Sequence, residues 1–131
     1  MLLTTHADAG DVSANNGWFR KLPSNLPAAG YFDLHNGSNR SISLIDASSP
    51  ACGMLMLHKS EDMDGMMRME DVASVAVPPG DTLRFAPGTY HLMCMDPTPM
   101  LRLGTAVPVR LRFADGLILQ AAFVVRDANG R

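Results

Sequence analysis

Apolar and polar residues alternate with a period of two along much of this chain, and turn residues interrupt the alternation at short intervals. "VPVRLRF" is the cleanest case, with Val107, Val109, Leu111 and Phe113 on one face and Arg110 and Arg112 on the other. "AAGYFDLHN", "SISLIDA", "MLMLHKS", "DTLRF", "YHLMCM" and "LILQAAFVV" read as further strands. Between them lie "NGSNR", "SSPACG", "EDMDGMM", "VPPG", "APGT" and "ADG", which carry turn or connection chemistry. No helical period is sustained over three turns. Seven or more short strands at this spacing predict an antiparallel β-sandwich or small barrel. Residues 1–17 are polar and read as a flexible N-terminal leader, and residues 18–131 as a single β-sandwich domain.

Strand parity sorts the side chains further. In "MLMLHKS" it places Met54, Met56 and His58 on one face, with Leu55 and Leu57 on the other. In "YHLMCM" it places His91, Met93 and Met95 together, opposite Tyr90, Leu92 and Cys94. The leucine rows are the natural core faces. Two strands therefore each carry a His and Met residues on a face turned away from the core, where packing explains Met less well.

Composition narrows the function classes. The 131 residues fit one domain with its own core, and 47% hydrophobic with 18% charged residues fit a globular chain. A net charge of −2 and a pI near 6.0 offer no basic surface for nucleic acid or an anionic membrane. No apolar run approaches the roughly 18 residues of a spanning helix. "MLLTTHADAGDVSANNG" lacks the charged and apolar segments of a signal peptide. Methionine is over-used: nine of the ten lie between Met54 and Met100.

A thioether is a soft neutral donor that suits Cu(I), and imidazole completes a mixed nitrogen and sulfur set. A structural zinc site needs more Cys or His than these strands hold, and catalytic zinc usually adds a carboxylate. A blue-copper site needs a His after the Cys ligand, and no His follows Cys94.

His58, ten residues, Met69, twenty-one residues, then His91 and Met93 reproduce the spacing His-x10-Met-x21-His-x-Met. In this signature, and in the flanking "LPAAGYFDLHN", "ASSPACGMLMLHKS", "GMMRM" and "VPPGDTLRFAPGTYHLM", the chain resembles periplasmic copper chaperones of the PCu(A)C type. The resemblance runs from about Trp18 to Val125. It implies a cupredoxin-like Greek-key β-sandwich that binds one Cu(I) through His58, Met69, His91 and Met93. It implies a periplasmic monomer that delivers copper to the Cu(A) subunit of cytochrome c oxidase, directly or with a Sco-type chaperone. It does not imply enzymatic activity. "VVRDANGR" is not the His/Met-rich tail found in many relatives, so no tail-borne second site is expected.

Met66 or Met67 offers a substitute for Met69 in the segment "MDGMMRM", read as a loop. Met54, Met56 and Met95 read as a hydrophobic shield around the copper or as packing. His35 and His6 read as solvated, and Asp62 and Asp64 as a solvated turn. Cys52 shares parity with His58 whereas Cys94 faces the other way, which argues against a cross-strand disulfide. Pro50 and Gly53 can release Cys52 from that parity. The ordinary expectation is two small buried thiols, with Cys94 as a fifth soft ligand the alternative. Two other function classes remain: a thiol–disulfide reductase using Cys52 and Cys94, and a metal-free β-sandwich interaction module with a Met-rich surface.

Overall fold

A computed structural model describes residues 7–9, 11–63 and 65–131. All regular elements among them are strands: β1 (Ala7–Ala9), β2 (Val12–Arg20), β3 (Ala28–Asn36), β4 (Ile42–Ser48) and β5 (Cys52–Met63). These are followed by β6 (Met66–Asp71), β7 (Val75–Val77), β8 (Thr82–Phe85), β9 (Tyr90–Pro97), β10 (Ala106–Phe113) and β11 (Ile118–Arg126).

The hydrogen-bonded order is β6-β5-β9-β3-β2-β11-β10-β4-β7, with β1 on β2 and β8 on β3. Every pairing is antiparallel except β2 with β11, where Trp18 lies beside Val124. The sheet curls until β4 packs against β5, so two layers face each other across one core. Phe19, Phe32, Phe85, Phe113 and Phe123 fill its centre with Leu34, Leu44, Leu92 and Leu111. Each such side chain contributes roughly 1.5–3 kcal/mol through burial. Val107, Val109, Leu111 and Phe113 are all buried, as their alternation predicts. The protein is an all-β, cupredoxin-like sandwich.

Two boundaries differ from those read in the sequence. Residues 12–17, assigned to the leader, belong to β2, with Val12 and Ala14 buried. Small apolar side chains and a register shift between Asn15 and Trp18, with Asn16 at φ 60°, hide the alternation there. Gly17 is needed at this bulge, because a Cβ would collide with the Phe123 ring. Residues 1–6, including His6, and residue 10 lie outside the described residues.

"EDMDGMM" is likewise no loop. Strand β5 runs on to Met63 and pairs with Met66 across a two-residue turn, in which Gly65 takes φ 81°. An Asp-Gly pair is a favoured sequence for such a hairpin; Asp64 itself lies outside the described residues. Met69 therefore sits on a strand. The short edge strand β7 carries too few residues to show a period.

Candidate metal centre

Strand β5 is long enough to serve two partners. Its first half pairs with β9 and its second half with β6, and the two ladders overlap at His58 and Lys59. One row thus runs across three strands: Asp71 on β6, His58 on β5 and His91 on β9. Met69 is opposite Ser60, two residues along β6 from Asp71, and Met93 is opposite Met56. Directly opposed residues share a face, with Cβ atoms ~4.5–5.5 Å apart and diagonal ones ~7–8 Å. His91 is therefore the direct neighbour of His58, and Met69 and Met93 are its diagonal neighbours on either side. The register brings all four sequence-derived donors to one face around His58.

The two imidazoles meet edge to face, with centroids 5.4 Å apart and planes at 84°. His91 is 3% exposed, although its face is not the core face. It hydrogen-bonds to the Thr89 backbone, and its buried Nε2 has no hydrogen-bond partner. His58 is mostly buried, and both its ring nitrogens lack hydrogen bonds. The Asp71 carboxylate lies 2.7 Å from His58 Nε2 but is not aligned to form a hydrogen bond. Buried polar atoms are rarely left this way, since each costs about 1–3 kcal/mol unsatisfied. A neutral imidazole carries one lone pair, so the two adjacent rings offer a soft cation one nitrogen each, His91 through its unpartnered Nε2. Holding one ring nitrogen by a backbone group while the other faces the metal is the common arrangement for a ligating His.

Burial first, and then the neighbouring His58, push the His91 pKa below its ordinary value of 6.5, partly offset by the Thr89 bond. The ring is thus kept neutral, the form that binds metal. Among the described residues no group of three or more His, Cys, Asp or Glu gathers into a metal site. The donors that do gather are imidazoles and thioethers, a set suited to Cu(I) rather than to Ca²⁺ or Mg²⁺. Met69 is 60% exposed, so the β6 donor stands at the open side of the site, whereas Met66, three residues away on the same strand, faces the other side.

The cysteines depart from the expected two thiols. Cys52 and Cys94 form a disulfide, with Cα atoms 5.3 Å apart, joining β5 to β9. Parity fails at the start of β5: the ladder skips Gly53 and Asp96, and Asp96 adopts φ 49°. Gly53 permits the close approach, because a Cβ there would lie 2.9 Å from that of Asp96. Cys52 can then turn inward to Cys94, which points into the core as its parity predicts and is fully buried. Both sulfurs are buried, whereas thiol–disulfide exchange needs an accessible sulfur, so the pair reads as a structural cross-link rather than a reductase couple or a metal ligand. His35 bonds Thr82 Oγ1 at 2.7 Å on the opposite part of the sheet and is not part of the site.

Comparison with known proteins agrees with this architecture. The fold matches the apo PCuAC domain of PmoF2 with a TM-score of 0.77 and 20% identity, over 95% of this chain and 96% of that one. The copper-bound form of that domain matches at 0.76, with 21% identity over 92% and 96%. The Cu(I) form of DR1885 from Deinococcus radiodurans matches at 0.67 and 28% identity, over 85% of this chain and 75% of that one. The fold is that of a PCuAC domain. By sequence, the chain belongs to the family described as "Putative lipoprotein LpqE-like", whose model matches residues 12–125. A relative from Leifsonia xyli subsp. xyli, "Putative lipoprotein Lxx21020", is 31% identical over 97% of this chain and 76% of its own length.

Proposed function

We propose that this protein is a non-enzymatic Cu(I) carrier that holds one ion with His58, Met69, His91 and Met93. The observation that supports this reading most is the pair of facing, mostly buried imidazoles, with His91 Nε2 unpartnered, flanked by Met on the same face. Their spacing in the sequence is that of the PCu(A)C signature. A closed-shell ion imposes little geometric preference of its own. An open-sided site can therefore release it stepwise, each leaving donor replaced by one from the recipient. The exposed Met69 is the first donor to exchange, and the buried His91 the last.

The copper-bound PmoF2 domain and Cu(I)-DR1885 support the cargo by likeness. By resemblance to PCu(A)C chaperones, the recipient is the Cu(A) centre of cytochrome c oxidase, reached directly or through a Sco-type partner. The protein works outside the cytoplasm: a buried disulfide suits an oxidising compartment, and the Leifsonia relative is named a lipoprotein. No helix of the described residues is long and apolar enough to cross a membrane.

X-ray absorption of the Cu(I) form, prepared with a thiol-free reductant so that the disulfide survives, tests the ligand set. The expected first shell holds both nitrogen and sulfur. A shell of oxygen and nitrogen alone would overturn the assignment.

A further inference from the structure

The outer face of β5 and β9 carries three successive cross-strand rungs: His58 opposite His91, Met56 opposite Met93, and Met54 opposite Met95. The carrier site uses the first rung and Met93, leaving Met54, Met56 and Met95 without a role. Shielding does not explain Met54. Met54 is 58% exposed, too open to keep water from an ion two rungs away. Packing does not explain it either, because a thioether left in water gains little from burial. Two of the four outward positions on β10 are instead Arg110 and Arg112.

The geometry of the pair suits ligation. Met54 and Met95 are directly opposed, so their Cβ atoms lie ~4.5–5.5 Å apart, and Met56 is diagonal to Met95. Three rotatable bonds per side chain allow the three sulfurs to converge on one point. Met54, 58% exposed, leaves this end of the row open to an ion from solvent. The row ends just beyond Met54 and Met95, where Asp96 and Gly53 break the ladder and turn Cys52 inward.

We propose that Met54, Met56 and Met95 form a second site for a soft closed-shell monovalent cation, Cu(I) or Ag(I), beside the His58–His91 rung. The ion keeps its oxidation state throughout. Passage to the first site is ligand exchange: a bond to Met93 forms as one to Met56 or Met95 breaks, with no electron transferred. That transfer role rests on the carrier reading; the binding site itself does not.

Methyl-labelled methionine NMR of the full chain, disulfide intact, titrated with Ag(I), tests the proposal. The expected result is two bound equivalents, one shifting the Met93 methyl and the His58 and His91 rings, the other shifting the Met54, Met56 and Met95 methyls. Met54→Leu with Met95→Leu is expected to lose one of the two equivalents, with an unchanged circular dichroism spectrum reporting the fold. One equivalent that leaves Met54 and Met95 unmoved overturns the second site and leaves the carrier reading standing. One equivalent that moves only Met54, Met56 and Met95 upholds the second site and overturns the carrier reading. Two equivalents in the double variant overturn the second site, and no binding in the wild type overturns both.

Discussion

Strands β5 and β9 have two faces with one register and opposite chemistries. Inward, Leu55, Leu57, Leu92 and Cys94 are buried in a dry layer closed by a disulfide. Outward, Met54, Met56, His58, His91, Met93 and Met95 form a surface of soft donors, graded from the buried His91 to the exposed Met54. The backbone is common to both, so the donors are held by a layer packed from other side chains. A carrier gains from this division. It can empty and refill its outer face without unfolding.

That division can be broken from inside first. Replacing both Cys52 and Cys94 by Ala removes a cross-link between positions 42 residues apart. The chain-entropy estimate for such a loop is about 4 kcal/mol of stability, read by urea unfolding. Leu92→Ala comes next, with about 3 kcal/mol lost to a cavity at a fully buried position. On the outer face, His58→Ala with Met93→Ala is expected to weaken Cu(I) binding at least about a hundredfold, or roughly 2.7 kcal/mol. The same variant should shift the urea midpoint of the apo protein far less than Leu92→Ala does. If it unfolds the protein, the two faces are not independent.

A subtler test uses pH. The folded apo protein resists protonating His91, whereas the unfolded chain takes up that proton near the ordinary value of 6.5. The contribution to stability is therefore full above pH 6.5 and is lost as the pH falls below it toward the depressed folded value. Urea midpoints of the apo protein should be higher at about pH 7.5 than at about pH 5, and His91→Gln should flatten the difference. Smallest of all, Met54→Leu should leave stability within about 0.5 kcal/mol, as expected for an exposed position.

Sequence periodicity carried the fold a long way. Strands β3, β10 and β11 fall within a residue or two of "AAGYFDLHN", "VPVRLRF" and "LILQAAFVV", because each has one buried and one solvated face. Parity also separated Leu55 and Leu57 from Met54, Met56 and His58. It failed where the backbone is irregular. The bulge at Asn16 hid the first half of β2, and the turned chain at Gly53 and Asp96 hid the disulfide. Pro50 and Gly53 were the only signals that Cys52 need not follow its strand. The spacing of the four donors was legible, but their convergence was not. That depends on β5 pairing with β9 and β6 on opposite edges, with the two ladders overlapping at His58. The Asp-Gly of the β5–β6 hairpin was the missed clue that Met69 lies on a strand.

The parallel pairing of β2 with β11 has a consequence for how the molecule is made. Trp18 must find Val124, so the contact that completes the sheet waits for nearly the last strand to emerge. Contacts so distant in sequence form slowly and cannot close early. The sheet thus stays open between β2 and β11 until residues 124–126 are available, whereas the ladders of β5 with β6 and β9 that carry the donors need nothing beyond residue 97.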